Sequence, residues 1–502
     1  MAITLDRASP VPVYRQIVQG IRSLIASGAW TAGFRLPPER TLAQALGVNR
    51  TTVLNAYREL KAEALVEAHV GRGTVVAAQR PVADAAAEAA EIPWRQLFRS
   101  GLGRSQDPLL RDLLSLTERD DIIPLAVGLP APEFLPMAAL RDILAGLLSE
   151  VGPAILMHSP TEGVTALREA ISRHLAARGV HRPPEEILIT SGCQQGLDLV
   201  TRVLVDPGDP VVVEEPTYFG ALEVFRRAQA RVIPVPADQD GLRTDLLEAV
   251  LQHRRPKFIY TLPTFQNPSG AVLPLERRRH LLELAERFAV PVVEDDPYTE
   301  LRYDGPAVPS LKELDTAGLV ISLHSFSKVL FPGLRVGWMA APRPVLRQLA
   351  LARQGLDLHS NTPGQWMLAR FLTRGHFDAH LELVRREYRT RRDLALAALA
   401  ETAPPGVHWT RPEGGFYIWC RLPAHLALGR LLAQAAQIGV AFLPGPPCFA
   451  EEPVVNAIRL NFTFPSQEQL REGITRLMAA AAAILEEPAA SGRTGGGTPP
   501  LV

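Results

Sequence analysis

Cysteine is scarce: three in 502 residues, Cys193, Cys420 and Cys448, too few and too scattered for a disulfide framework. No Cys/His cluster has zinc-ligand spacing, so no metal site is expected. Long apolar runs are missing as well. No segment approaches the uninterrupted length of a membrane span, and Met1 to Pro10 lacks the apolar core of a signal peptide. No membrane partner is therefore expected, and the cytoplasm is the expected location. Net charge is absent too, since 53 Lys and Arg balance 53 Asp and Glu, yet the balance is uneven. Residues 1–80 hold ten basic against five acidic side chains, a charge of +5, so the remainder carries −5. A basic first segment on an acidic body suggests a nucleic-acid module joined to something else. A chain of 502 residues also has room for two or three domains with full cores.

What is present in the first eighty residues supports that division. Val13, Ile17, Ile21, Leu24 and Ile25 fall at helical spacing between Pro12 and Ser27, with Gly28 as a stop. Pro38 to Leu46 reads as a second, short helix starting at proline. Gly47-Val48-Asn49 is a tight turn whose Asn49 caps a third helix, Arg50 to Glu63. That helix buries Val53, Ala56, Tyr57 and Leu60 and turns its first polar residues outward, the geometry that places a recognition helix in a major groove. Leu65 to Val70 and Thr74 to Val76 alternate like strands around Gly71-Arg72-Gly73, a hairpin with an arginine at its tip.

From Gly128 onward short apolar runs alternate with helical patterns: Ile187 to Thr190, Val211 to Glu214, Val232 to Val235, Phe258 to Leu262, Val292 to Glu294 and Leu319 to Leu323. This indicates an α/β domain with a largely parallel sheet, where ligands bind beyond the strands' carboxyl ends. The polar residues after each run are therefore the candidates. They are Ser191-Gly192-Cys193-Gln194, whose backbone N–H groups open a helix and suit a phosphate; Tyr218, an aromatic able to stack on a planar ring; and Asn267 in a turn. Asp295 follows, with Asp296 and Tyr298. Glu294 precedes these two acids as part of the strand run and no histidine stands beside them in sequence, so a protonated heteroaromatic nitrogen suits a strand-end carboxylate better than a metal does. The run Leu319 to Leu323 delivers Ser325, Ser327 and Lys328, and Arg335 follows. A lysine there can form a Schiff base with a carbonyl cofactor while the hydroxyls and arginine hold a phosphate, although a solvated lysine after a core strand fits the same residues. Past Val345 come long helices and a smaller, strand-rich region in which Ile458 to Phe462 places Arg459 in an otherwise apolar strand.

Two resemblances join these observations. The run L-P-P-E-R-T-L-A-Q-A-L-G-V-N-R-T-T-V-L-N-A-Y-R-E-L followed by G-R-G-T resembles the GntR-type winged helix-turn-helix. That resemblance implies that Arg40, Arg50, Thr51 and Thr52 contact phosphates and base edges of a double-stranded DNA operator, that Arg72 reaches the adjacent groove, and that Val48 is core. The order Gly192-Cys193-Gln194, Tyr218, Asn267, Asp295 with Tyr298, Ser325 with Lys328, and Arg335 resembles the fold-type I aminotransferases. It implies that Lys328 binds pyridoxal 5'-phosphate covalently, Asp295 pairs with the pyridinium nitrogen, Asn267 and Tyr298 hold the ring's phenolate oxygen, and Tyr218 stacks on its face. The Gly192 to Gln194 backbone, Ser325, Ser327 and Arg335 would hold the phosphate, and Arg459 would clamp a substrate α-carboxylate. One departure is His158, where related sequences commonly carry a tyrosine that reaches the partner subunit's phosphate.

A GntR-type reader joined to an aminotransferase-like body resembles the MocR family of bacterial regulators. The resemblance implies a homodimeric, pyridoxal-phosphate-dependent transcriptional regulator that senses an amino acid or amine through an external aldimine formed at the Lys328 site. The alternative is a working aminotransferase, of aromatic or aminoadipate type, with an appended DNA-binding domain. The expected division is a winged helix-turn-helix domain at residues 1–78, a linker and arm at 79–121, and an aminotransferase-like domain at 122–485. The large part of that domain lies at about 150–345, the small α+β part mainly at 346–485, and a disordered tail covers 486–502.

Overall fold

The structure is a computed structural model and describes residues 3–7, 9–69, 73–77, 119, 121–453 and 455–487. The expectations placed on Val70, on Arg72, on residues 79–118 and on most of the tail lie outside them. The chain divides into two compact units, Met1–Phe98 and Arg99–Val502.

In the first unit α1 (Val13–Ala26), α2 (Glu39–Leu46) and α3 (Arg50–Ala62) pack around one apolar core, followed by β1 (Val66–His69) and β2 (Gly73–Val76). Spacing of four brings Ile17, Ile21 and Ile25 of α1 onto one face against Leu42, Val53, Ala56 and Leu60. Each such aliphatic side chain contributes about 1.5–3 kcal/mol by leaving water. Pro38 stands just before α2 as its N-cap, not as its first helical residue, and Gly47 ends α2 at φ 62° in the left-handed region. Asn49 caps α3 by accepting from the Thr51 N–H at 2.9 Å. Val48 is half-buried, at the margin of the core. The hydroxyl of Tyr57 donates to Pro37 O at 2.7 Å, which ties α3 to the turn before α2. β1 and β2 pair antiparallel, Val66 opposite Val76, as a hairpin requires.

Among the described residues the first element of the second unit is β3 (Ile123–Pro124), and the unit is built on an eight-stranded sheet. In chain order its strands are β4 (Ile187–Thr190), β5 (Pro210–Glu215), β6 (Arg231–Asp238), β7 (Gly241–Leu242), β8 (Ile259–Thr261), β9 (Val292–Asp295), β10 (Val320–Ser325) and β11 (Gly337–Ala340). Their order across the sheet is β4-β11-β10-β9-β8-β5-β6-β7, with β7 and β11 reversed and the other six running one way. Those six are the apolar runs of the sequence. β7 and β11 are two and four residues long, too short for a period to show. β11 squeezes between β10 and β4, and a Cβ on Gly337 would stand 2.6 Å from His324 O and 2.7 Å from the Gly192 Cα. Only glycine lets these backbones approach so closely.

A smaller layer comprises β12 (His408–Trp409), β13 (Tyr417–Arg421), β14 (Val440–Ala441), β15 (Leu443–Pro444) and β16 (Ala457–Asn461), four of them in the order β12-β13-β16-β15. The helices His376–Thr402 and Gln467–Glu486 cover it through Ala395, Leu399, Ile474 and Leu477. β14 pairs in parallel with β3, so this layer draws in residues 123–124 as well as the later chain. No described helix is long and apolar enough to cross a membrane.

Candidate cofactor cavity and DNA-reading face

Because β4, β5, β8, β9 and β10 run the same way, their carboxyl ends meet along one edge of the sheet. Each end turns sharply. After β4, Gly192 at φ 110° is the N-cap of the helix Cys193–Leu204. After β10 the chain makes a 3₁₀ turn, Phe326–Lys328, in which Ser325 Oγ accepts from the Ser327 N–H at 3.1 Å. Arg335 then sits in the left-handed region at φ 54°. The result is a cavity of about 370 Å³. Gly192, Cys193, Gln194, Tyr218, Asn267, Asp295, Tyr298, Ser325, Ser327, Lys328, Arg335 and Arg459 all line it.

Lys328 Nζ donates to Gly128 O at 2.6 Å and lies 5.8 Å from the centre of the Phe416 ring. Asp295 is 3 % exposed; its Oδ2 accepts from the Tyr260 hydroxyl at 2.8 Å, and its Oδ1 has no hydrogen-bond partner among the described residues. Burial holds this carboxyl above its usual range, while Tyr260, the neighbouring Cys193 thiol and Lys328 pull the other way. Arg335 Nη1 stands 3.5 Å from Ser327 Oγ, and its guanidinium faces Gly192. Arg459 is buried in a central strand of the small sheet, so it is not a surface charge on an edge. Its Nη1 donates to Asn267 Oδ1 at 2.9 Å and its Nη2 to Ala126 O at 2.8 Å, and its Nε has no partner among the described residues. The Tyr298 hydroxyl donates to the Tyr417 hydroxyl at 3.2 Å. At Tyr417 burial raises the hydroxyl's pKa, but Arg459 and Lys328 outweigh it and bring it below the usual value. Burial pushes the Cys193 thiol well up, so it lines the cavity as a neutral group.

The two adjacent acids at the end of β9 part company. Asp295 faces this cavity, whereas Asp296 lines a separate one of about 480 Å³ together with His324. No group of three or more His, Cys, Asp or Glu able to hold a metal occurs among the described residues.

In the first unit Arg40, Arg50 and Thr51 are exposed on the opening turns of α2 and α3, and Thr52 is half-buried. Arg50 is tethered: its Nε and Nη2 lie 3.1 and 3.0 Å from Glu39 Oε2. Arg72 lies outside the described residues.

Comparison with known proteins matches both parts. Residues 121–477 match the aminotransferase class I and II family, and residues 13–76 match the gntR family of bacterial regulatory proteins. An aromatic-amino-acid aminotransferase of Thermococcus litoralis is 42% identical over 396 residues, covering 78% of this chain and 95% of that protein. Kynurenine aminotransferase of Pyrococcus horikoshii, solved in complex with PMP, superposes with a TM-score of 0.75 at 40% identity, over 79% of this chain and 99% of its own. Each of these relatives covers about four fifths of this chain. The probable rhizopine catabolism regulatory protein MocR of Rhizobium meliloti is 31% identical over 486 residues, 95% of each chain, and so spans both units. The chain belongs to the MocR-type GntR regulators.

The cavity of this MocR-type chain fits pyridoxal phosphate. The unpartnered Oδ1 of a buried aspartate needs a donor, which a protonated pyridine nitrogen supplies. The Gly192 turn and Arg335 offer backbone N–H groups and a guanidinium to a phosphate. Pyridoxal phosphate is the cofactor that this fold and these neighbours indicate.

Several residues of the site carry no sequence signal. Tyr260 lies inside a buried apolar strand, and only the pairing of β8 with β9 shows that its hydroxyl meets Asp295. Gly128 and Ala126 act through backbone carbonyls. Tyr417 and Phe219 flank Arg459 at 4.0 and 6.0 Å from ring centre to guanidinium. The tyrosine adjoins Gly414-Gly415-Phe416, none of which lines the cavity. His158 is absent from the cavity wall; its Nδ1 meets His359 Nε2 at 2.7 Å.

Proposed function

We propose that this MocR-type chain is a pyridoxal-phosphate-dependent transcriptional regulator that senses an amino compound at Lys328 and reads a DNA operator through α2 and α3. The observation that carries the reading is one cavity collecting every group needed to hold the cofactor and a carboxylate, in the same chain as a helix-turn-helix. When bound, pyridoxal phosphate supplies an aldehyde and an electron-withdrawing ring. Lys328 Nζ would hold the aldehyde end, with Gly128 O keeping the amine directed into the cavity. Asp295, oriented by Tyr260, would hold a proton on the ring nitrogen. With its Oδ1 taken by Arg459, Asn267 would offer its amide N–H groups to the ring's phenolate oxygen, and the Tyr298 hydroxyl would turn to it from Tyr417. The Gly192 to Gln194 backbone, Ser325, Ser327 and Arg335 would take the phosphate, and Tyr218 the ring face. Arg459 would take an incoming carboxylate by a bidentate pair.

On the reading side Arg40, Arg50, Thr51 and Thr52 would meet backbone and base edges, with Arg72 in the adjacent groove. The chain would act in the cytoplasm as a homodimer, bringing two reading heads to repeated half-sites. Support for pairing is an apolar surface on the second unit: Met137, Leu144 and Leu148 share one face of the helix Met137–Glu150, and Leu156 and Met157 follow, 75 % and 62 % exposed. The division at residues 1–78, 79–121, 122–485 and 486–502 goes with this reading.

A second reading, an active aminotransferase with an inherited DNA-binding unit, is favoured by the completeness of the Lys328, Asp295 and Arg459 set and by the aromatic-amino-acid aminotransferase among its relatives. Purified full-length protein, loaded with pyridoxal phosphate and offered a panel of amino acids and 2-oxo acids, separates the two. A change of at least about tenfold in operator affinity with an amino acid is expected. Steady turnover without any change in DNA binding overturns the regulator reading.

A further inference from the structure

The charges on the cavity wall limit which amino compound it takes. Among the described residues the charged side chains lining it are Asp295, Lys328, Arg335 and Arg459. On the proposed reading each has a partner already: ring nitrogen, aldehyde, phosphate and the ligand's α-carboxylate. Among the described residues nothing charged remains for the rest of the ligand.

Apart from Asn267 and the Ala126 carbonyl, the wall beside Arg459 is apolar and aromatic. The rings of Tyr417 and Phe219 flank its guanidinium, and Val127 and Leu129 extend the wall. The backbone adds to this. Gly128 O and Ala126 O are now held by Lys328 and Arg459. When those cations turn toward ligand, two carbonyl oxygens are left facing the space where a side chain must lie. Carbonyl oxygens repel a carboxylate, and a buried carboxylate without a cation is costly.

We infer that the effector is an α-amino acid with an uncharged, apolar or aromatic side chain, and that dicarboxylic amino acids are rejected. The inference rests on the reading that an amino acid meets the cofactor in this cavity. A ligand of this kind buries its side chain against Phe219, Tyr417 and Leu129 with no charge left unpaired, and a ring there packs against two rings already in place.

The test uses the full chain loaded with pyridoxal phosphate, titrated with L-phenylalanine, L-leucine, L-glutamate and L-2-aminoadipate while the visible absorption of the cofactor is followed. Phenylalanine and leucine are expected to half-saturate the spectral change at concentrations about a hundredfold below the two diacids. Glutamate or 2-aminoadipate acting at an equal or lower concentration overturns the inference. A loaded protein whose spectrum responds to none of the four defeats the sensing reading itself, which is a different failure. As a gain-of-function arm, Leu129→Arg supplies the missing cation and should improve the 2-aminoadipate response about tenfold. A well-loaded Leu129→Arg protein without that gain overturns the assignment of this wall to the ligand's side chain.

Discussion

Arg50 and Arg459 each hold an oxygen acceptor within the chain, yet they belong to opposite kinds of site. Arg50 stands exposed at the start of α3, its guanidinium on Glu39 in solvent. Arg459 is buried, shared between Asn267, Ala126 and the Tyr417 ring. An exposed charge acts through a field that salt screens, and its removal gives a graded loss. A buried charge is fixed in place by its neighbours, and its removal leaves them unsatisfied. The first unit is thus suited to summing many weak contacts along a polyanion, and the second to a yes-or-no recognition of one small molecule.

The contrast can be broken at three points of decreasing effect. Lys328→Ala should abolish the visible absorption band of the loaded protein, and with it any response of DNA affinity to amino acids. A band that persists would detach Lys328 from the cofactor. Arg50→Ala should lower specific operator affinity by about 10–100-fold while leaving the band intact, since one base-reading arginine is worth about 1–3 kcal/mol. Unchanged binding in a salt-controlled shift assay would remove α3 from the reading face.

The smallest effect concerns pH. Glu214 is buried in β5, accepting from the Leu262 N–H at 2.7 Å and the Thr261 hydroxyl at 3.0 Å, and burial outweighs these bonds to push its carboxyl up to about 7. Its folded value lies above the unfolded one of 4.5, so the folded chain binds more protons between the two. Its contribution to stability is therefore complete below about 4.5 and lost as pH rises through about 7. Glu214→Gln should flatten the fall in melting temperature of the second unit over that window, by an amount worth a few kcal/mol at most. A variant whose melting curve keeps the parent's pH dependence would place the titration elsewhere.

Much of this was legible in the sequence, and the boundary follows physical lines. Strand ends are legible because apolar runs stop abruptly, so Asp295, Ser325 and Lys328 stand out as polar residues where a buried strand delivers them. Helix caps are legible because Gly47 and Asn49 are locally determined. Contacts that join distant segments are not. The Arg459 to Asn267 bond spans 192 residues, and Tyr260 looks like any core aromatic until β8 lies beside β9. Nor does a sequence reveal which carbonyls point inward. The partition of Asp295 and Asp296 into different cavities also depends on the fold, since adjacent strand residues face opposite sides only where the strand continues.

The pairing of β3 with β14 also matters beyond packing. Asn461, two residues after Arg459, donates its N–H to Leu125 O at 2.7 Å, and Arg459 itself grips Ala126 O. On the proposed reading a carboxylate arriving at Arg459 would compete with that carbonyl, two residues beyond Pro124 of β3. The first thing a ligand would then loosen is the backbone just after β3, which the small sheet holds through Leu125 and Ala126.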